Sequence, residues 1–588
     1  MKNLAAPAPL AAAVVRPADD TAHPVHFEGI RKQALDTGRT RLLVAGVVFS
    51  LAFLAIAGRL VDLAVFKRAT EPSLARATAT PVAPVGRADI VDRNGIVLAT
   101  SLPVVSLYAN PSSVLDPDEA ARRLVEVVPD LTYAEVKAKL ESESKFVWLR
   151  RNLTPQQHYD VNRLGIPGFQ FQRAERRVYP HGRTVAHVLG TTDVDGRGIS
   201  GAERAFDAEL GGGTKPVKLA IDIRVQDVVR NTLGAAMIEF RAIGAAGVVL
   251  DVETGEALAM VSLPDFDANE PTSAVGDAAF NRVTKGVYEM GSTFKLFTTA
   301  MALDSGTVGL RDGYDASKPI SIARFTITDY KGKNRWLSVP EILVYSSNIG
   351  TAKMALDVGT ELQRNYLANF GMLAPSPIEL PEVGAPLVPA TWREINTMTI
   401  SYGHGVAVSP IQLASGVAML VNGGVLHPAT VLMRATDVPP AGKRVLAADT
   451  SKQMRDLMRL VVLHGTGKKA DAKGYDVGGK TGTADKLQGR GYRKDSRVAS
   501  FVGAFPVQEP RYVIFAMIDE PKGNARTFNY ATGGWVAAPV VRQIVERIAP
   551  MAGIRPILKD DLPMPGQPVL ASAGRKPASG GGDGVAAH

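Results

Sequence analysis

The stretch Glu289-Met-Gly-Ser-Thr-Phe-Lys-Leu-Phe-Thr-Thr-Ala-Met-Ala-Leu303 runs from a polar turn straight into an apolar segment. Phe294, Phe297 and Met301 recur at helical spacing, and Ser305-Gly306 is a stop signal. A buried helix is expected here, with Ser292 at or near its N-terminus. Lys295 comes one turn later and faces the same way. The helix dipole at that end favours negative charge developing on Ser292 or on an adduct of it. A serine hydroxyl becomes a nucleophile only with a base beside it, and a lysine serves once its pKa is lowered.

Spacing alone decides little. A second Ser-x-x-Lys, Ser142-Glu-Ser-Lys145, lies in a charged stretch and reads as a solvated helix end. Ser292 differs in its apolar setting and in its downstream companions. Ser346-Ser-Asn348 and then Lys480-Thr-Gly-Thr483 come later in the chain, and Lys480-Thr-Gly482 is its single Lys-Thr-Gly. Taken alone, the first of these reads equally as a helix cap and the second as a turn. In this order the three segments form the signature of enzymes that acylate a serine with a peptide or a β-lactam.

Apolar residues make up 46% of the 588 and charged residues 21%, the balance of a folded protein of two or more domains. There is no cysteine, which excludes disulfides, thiol catalysis and cysteine-based metal sites. The nine histidines include no His-Glu-x-x-His pair, so no catalytic metal and no cofactor are expected. His404 reads as a loop residue rather than a ligand. Net charge is +9, but no concentrated basic tract carries interleaved aromatics, which disfavours nucleic-acid binding.

Leu42 to Gly58 is apolar apart from Ser50, and after Arg59 the apolar character resumes to Phe66. A membrane span needs about 20 apolar residues, and an arginine near its end snorkels to the interface. The run exceeds the apolar core of a cleaved signal peptide, about 7–15 residues, so an uncleaved signal anchor over 42–66 is expected. Basic residues flank both ends, and the orientation favoured keeps the short N-terminal segment inside.

Around this span, residues 1–41 are expected to be a disordered cytoplasmic tail, 67–225 a first domain and 226–554 a second, with a disordered tail over 555–588. Arg87 to Ala99 reads as two short strands around an Asn94-Gly95 turn. Residues 115 to 165 read as mostly helical, and the first domain as closing near an Ala220–Arg224 strand. Ala246–Asp251 and Ala257–Ser262 read as a hairpin opening the second domain. Strands return at Arg497–Gly503 and Tyr512–Ile518, before a last helix over Val536–Ile548. Strands at both ends with helices between them predict one α+β domain whose terminal strands share a sheet.

These residues resemble the class B penicillin-binding proteins, the D,D-transpeptidases of peptidoglycan synthesis. The likeness spans about residues 40 to 550. Beside the three motifs it rests on Arg87 to Gly95, Arg177-Val-Tyr-Pro180, Asp195-Gly-Arg-Gly198 with Glu203, Ala499-Ser-Phe-Val-Gly503, Asp519-Glu-Pro-Lys522 and Gly534-Trp-Val-Ala-Ala-Pro539. Ala88, where glycine is usual, and Met290, where proline is common, depart from it. The resemblance implies a single transmembrane helix, an elongated pedestal (dimerisation) domain and a serine β-lactamase-like transpeptidase domain, outside the bacterial inner membrane. Ser292 would be the nucleophile, Lys295 its base, with Lys480 as the second cation that lowers it, and Ser346 the proton shuttle. Asn348, Lys480, Thr481, Gly482 and Thr483 would bind the substrate, the two threonine hydroxyls and Lys480 holding its terminal carboxylate. The backbone N–H groups of Ser292 and Thr483 would form the oxyanion hole. Gly478-Gly-Lys480 suits an edge strand to which an extended peptide adds. The implied ligands are a D-Ala-D-Ala stem peptide, an amine acceptor and β-lactams. The context of Ser292 is most similar to septal members, whose partners are the lipid-II polymerase FtsW and other division proteins.

An elongation-type transpeptidase is the alternative. A serine β-lactamase would need a deacylating base, and no Glu-x-x-Leu-Asn segment lies between the second and third motifs. A bifunctional polymerase would need a further upstream domain, and a penicillin sensor a sizeable cytoplasmic effector.

Overall fold

The computed structural model describes residues 43–58, 86–322, 325–435, 442–488 and 491–557. The chain divides into two compact units, 1–83 and 84–588. In the first, residues 43–58 form a helix exposed along its length. No helix among the described residues is long and apolar enough to cross a membrane. The apolar run in the sequence continues past Gly58, and the rest of the expected span, 59–66, lies outside the described residues. So do the 1–41 tail, residues 67–85 and residues 558–588.

The second unit is built around a five-stranded antiparallel sheet. Its order is Gly478–Gln488, Gly491–Phe505, Tyr512–Asp519, Gly244–Asp251 and Ala257–Leu263. Val248 lies opposite Phe515, so strands far apart in sequence share the middle of the sheet, as the sequence pattern predicts. The central strand Tyr512–Asp519 is buried at every position. Its even-numbered residues Ile514, Ala516 and Ile518 pack with Val229 and Leu233 of the helix Ile223–Glu239 and with Val541 and Ile544 of Ala537–Met551. Val513, Phe515 and Met517 face the other way, into the core that holds Leu413 and Val417 of the helix Pro410–Val421. A strand covered on both faces reads as a continuous apolar run, which is what Tyr512–Ile518 is.

The helix Pro410–Val421 is buried throughout. Pro410 at its first turn and a reciprocal Ser409–Gln412 capping box satisfy its leading N–H groups. This central helix fixes the layer against which the Ser292 helix packs.

Toward the N-terminus a second sheet joins Ile90–Val91, Val97–Ala109, Val147–Leu153, Phe169–Val178 and Val217–Lys218. The Asn94-Gly95 turn is present, held by Asp92 Oδ1 accepting from the N–H groups of Asn94 (2.7 Å) and Ile96 (2.8 Å). Two expectations fail here. The strand expected over Ala220–Arg224 is not formed: the strand is Val217–Lys218, and Asp222 instead caps the helix Ile223–Glu239 by accepting from Arg224 N. An aspartate before an apolar helix competes for that helix's free N–H groups and wins. The helical reading of 115–165 holds for Pro117–Val127, Tyr133–Leu140 and Pro155–Arg163 but misses the strand Val147–Leu153. Only Leu149 and Leu153 of that strand are buried, and its arginines mask the alternation. The Ser142 copy lies just past the end of the helix Tyr133–Leu140, where its hydroxyl donates to Lys139 O at 2.8 Å.

Beside this sheet lies a buried charge cluster. Glu203 accepts from Arg87 Nε at 2.6 Å and from Arg177 Nε at 2.7 Å, and its side chain is fully buried. Arg87 also reaches Glu203 O and Asp207. The short helix Gly201–Ala205 that carries Glu203 begins with Gly201 N donating to the Glu382 carboxylate at 3.2 Å, a bond to a segment 181 residues later in the chain.

Candidate active site

Ser292 sits in a single 3-10 turn, Gly291–Phe294, and the α-helix proper runs from Lys295 to Asp304. Ser305 ends that helix, as the stop signal predicts. Buried Phe294 and Phe297 meet edge-to-face at 5.4 Å and anchor it in the core. The turn is pinned between two backbones. Gly291 N donates to Gly403 O at 3.2 Å, and a Cβ on Gly403, whose φ is +85°, would fall 2.1 Å from Gly291 O. On the other side, a Cβ on Gly482 would fall 2.6 Å from Met290 O and 2.4 Å from Ser500 Oγ. Gly482 is therefore a clearance residue: without a side chain there, the Lys480 strand lies directly against the Ser292 turn.

The structure brings Lys295, Ser346, Asn348 and Lys480 together. Lys295 Nζ donates to Asn348 Oδ1 at 2.7 Å, to Ser346 O at 2.5 Å and to Ser346 Oγ at 3.2 Å. Lys480 Nζ donates to the same Ser346 Oγ at 2.9 Å. One hydroxyl thus bridges two lysines, each with no exposed surface. No hydrogen bond joins Ser292 Oγ to Lys295 among the described residues. Catalytic contacts of this kind commonly tighten only when substrate is present.

Local structure explains this convergence. Ser346 ends the helix Val339–Tyr345 in the left-handed region, at φ 60° and ψ 44°, a conformation that non-glycine residues seldom adopt and that recurs at functional sites. Ser347 then caps the helix Asn348–Val358, its hydroxyl accepting from Gly350 N. The cap reading of Ser346-Ser-Asn348 is met by Ser347, while the Ser346 hydroxyl faces Lys295 and Lys480. Asp329, for which the sequence gives no signal, binds this corner from outside. It accepts from Asn348 N at 2.5 Å, Ile349 N at 3.0 Å and Ser347 Oγ at 2.7 Å. Asn348 Nδ2 donates to Thr328 O at 2.8 Å, which turns its oxygen toward Lys295.

Electrostatics derive from burial. Burial, and after it the charge of Lys480, push the Lys295 ammonium well below the ordinary lysine range, while Asp329 pulls the other way. Burial lowers Lys480 to about 7. Two buried ammonium groups that share one hydroxyl disfavour the doubly charged state, so the pair readily gives up one proton.

The cleft in front of these groups has a volume of about 580 Å³ and is lined by Ser292, Ser346, Asn348, Thr481 and Thr483 among others. Gly478–Gln488 is the edge strand of the sheet, as expected from Gly478-Gly-Lys480. The Thr481 hydroxyl lies 2.8 Å from that of Thr466, a residue without a sequence signal, and the Thr483 hydroxyl accepts from Gly533 N at 3.0 Å. His404 also lines the cleft, and burial lowers its pKa. Its backbone N–H donates to Thr399 O at 3.0 Å, just past the end of the helix Glu394–Ser401. Among the described residues no cluster of His, Asp and Glu is arranged to hold a metal ion.

Two family models match the chain: "Penicillin binding protein transpeptidase domain" over residues 245–546 and "Penicillin-binding Protein dimerisation domain" over 82–224. The chain is 41% identical over 483 residues to a probable peptidoglycan D,D-transpeptidase FtsI of Caulobacter vibrioides, covering 80% of this chain and 82% of that one. It is 29% identical over 506 residues to the peptidoglycan D,D-transpeptidase FtsI of Escherichia coli K12, covering 80% and 84%. Among solved structures, the apo transpeptidase domain of Burkholderia pseudomallei penicillin-binding protein 3 matches at 33% identity and a TM-score of 0.52, covering 58% of this chain and 98% of that chain. A peptidoglycan synthetase from Bifidobacterium adolescentis shares the fold, with a TM-score of 0.63 at 22% identity over 80% of this chain and 96% of that one.

Proposed function

Because this chain belongs to the class B penicillin-binding proteins, a family of peptidoglycan D,D-transpeptidases, we propose that it cross-links stem peptides at the division septum through an acyl-enzyme on Ser292. The observation that carries the mechanism is the single Ser346 hydroxyl bridging Lys295 and Lys480.

In the proposed reaction the Ser292 hydroxyl attacks the penultimate D-Ala carbonyl and its proton passes to neutral Lys295. Charge on the carbonyl oxygen is met by the N–H groups of Ser292 and Thr483. The packing of the Gly291 turn against Thr483, whose carbonyl lies 2.7 Å from where a Gly291 Cβ would sit, supports that pairing. Ser346 then relays the proton to the leaving D-Ala amine, and an acceptor amine releases the acyl group as a cross-link. Lys480, Thr481 and Thr483 hold the terminal carboxylate of the donor, which lies along the edge strand. A bound carboxylate returns the shared proton to Lys480 and keeps Lys295 neutral, so binding itself prepares the base. β-Lactams acylate the same serine.

The 67–225 pedestal and the 226–554 catalytic domain are proposed as separate functional parts, supported by the two family matches. The uncharged, fully exposed helix 43–58 supports a single-pass anchor in the inner membrane with the catalytic part outside. FtsW and other division proteins are the proposed partners. The identity to the Caulobacter protein called FtsI favours the septal role over elongation. Depletion tests that choice: filamentous cells support division, and rounded cells would point to elongation.

Mass spectrometry after incubation with benzylpenicillin tests the chemistry. A persistent adduct on the Ser292 peptide is expected. Rapid turnover without an adduct would instead make the protein a β-lactamase. The rate of acylation should be bell-shaped in pH, rising as Lys295 gives up its proton and falling near pH 7 as Lys480 does. A neutral penicillin ester should lack the alkaline fall. Lys480→Ala should slow the free acid about 100-fold and the ester much less. An equal loss on both would refute the carboxylate role.

A further inference from the structure

The mouth of the cleft carries a group of side chains that this reaction does not use. Lys469 Nζ rests 4.2 Å from the centre of the Trp535 ring, and Trp535 stacks on Tyr530 at 6.0 Å with a 14° tilt. Lys331 Nζ lies 5.2 Å from the centre of the Tyr530 ring. These residues come from separate places: Lys331 lies past the strand Phe325–Ile327, Lys469 belongs to the short turn Lys468–Ala470, and the two aromatics lie past the turn Ala525–Thr527. The last of these segments is held in an unusual shape, with Phe528 at φ 50° and Asn529 at φ 61°.

Both lysines are exposed and neither makes an ion pair among the described residues. The cleft lining holds Lys331, Lys468, Lys469 and Arg497 against a single carboxylate, Asp485, and that one is bound by Arg497 at 2.7 Å. Among the described residues the mouth is therefore positive, with its one carboxylate already paired. Resting on ring faces narrows the freedom of each ammonium and leaves its donors unused. A lysine whose stem merely covers an aromatic ring is common on protein surfaces. Two such lysines, brought by different segments to the two rings of one stacked pair, place positive charge along the rim of one cleft.

We propose that Lys331, Tyr530, Trp535 and Lys469 form a second carboxylate subsite, which recognises an acidic residue of the bound peptide away from its D-Ala-D-Ala end. The subsite rests on the reading of the cleft as a peptide site and names a feature of its substrate: the peptide is at least a dicarboxylate, its C-terminus held at Lys480 and its acidic residue at the rim.

Two N-acetylated peptides ending in D-Ala-D-Ala, identical except for an internal Glu or Gln, test this by competing with a fluorescent penicillin for Ser292. The full-length protein should favour the Glu peptide by about tenfold at low ionic strength, and the preference should shrink in high salt because the edge is exposed. The double variant Lys331→Gln/Lys469→Gln keeps the stems on the rings and removes the charges, and its preference should fall to about twofold or less. Lys331→Glu/Lys469→Glu should invert it. A preference seen in acylation assigns the carboxylate to the donor. One seen only in transfer to an added amine-bearing peptide would place the carboxylate on the acceptor and overturn its assignment to the donor. Equal competition by both peptides in both steps, or a preference that survives both double variants, would overturn the subsite while leaving the transpeptidase reading intact. Failure of penicillin to label the unaltered protein would remove the acyl-enzyme reading, and the subsite with it.

Discussion

Ser292→Ala should reduce covalent labelling by a fluorescent penicillin to background, while its melting temperature without ligand stays within about 2 °C of the parent. The first half rests on chemistry. Alanine has no nucleophile, and serine hydrolases that lose theirs fall by about six orders of magnitude in turnover. The second half rests on geometry. The Ser292 hydroxyl makes no hydrogen bond among the described residues, whereas its neighbours Gly291 and Phe294 are buried and hold the turn. Lys295 keeps its bonds to Ser346 and Asn348 whether or not the serine is present. Intact-protein mass spectrometry and a melting curve check the two halves together. Persistent labelling of the variant would mean that another residue is the nucleophile. A large loss of stability would mean that Ser292 is a structural residue.

Glu203→Ala should have the largest effect on the fold. The carboxylate is fully buried and joins two guanidinium groups whose side chains are only 8% and 4% exposed. Removing it leaves Arg177 buried without its counter-charge and Arg87 held only by the more exposed Asp207. Breaking a buried ion pair from one side costs about 3–5 kcal/mol, and here one deletion breaks two. A sharply lower melting temperature and faster proteolysis within residues 86–224 are the expected outcomes. Glu203 touches no residue of the cleft, so the folded fraction should acylate with penicillin at the parental rate. A variant that stays fully stable would show that water enters the cluster and solvates both arginines. One that is stable yet slow would show that the bond from Gly201 to Glu382 carries strain to the catalytic part.

The parts of this structure that can be read from the sequence are those governed by local pattern. The helix after Ser292 is legible in apolar spacing and a stop signal. The central strand shows as an unbroken apolar run, and the edge position of Lys480 shows in its flanking glycines. The three motifs are legible because their chemistry restricts residue type as well as spacing, which is what separates Ser292 from the Ser142 copy. Asp329 is not legible. It acts through backbone N–H groups far along the chain, and such a bond leaves no mark in composition or periodicity. Thr466 and the rim formed by Lys331, Tyr530, Trp535 and Lys469 escape for the same reason: each is ordinary in its own segment and acquires a role only where segments meet. The strand Val147–Leu153 escapes because its half-buried arginines hide the alternation, and the Ala220–Arg224 strand is misplaced because the capping preference of Asp222 outweighs local β-propensity.

The pairing of Val248 with Phe515 bears on when the enzyme comes into being. The strand bearing Lys480 is held to the sheet only through Gly491–Phe505 and Tyr512–Asp519, both later in the chain. Closing so long a loop is a slow step, because chain entropy is lost before the contact rewards it. A growing chain that has emerged as far as the Ser292 helix thus carries the proposed nucleophile but neither Lys480 nor the rest of the proposed carboxylate site. On the proposed mechanism the polypeptide therefore stays chemically silent until almost its last strand has been delivered.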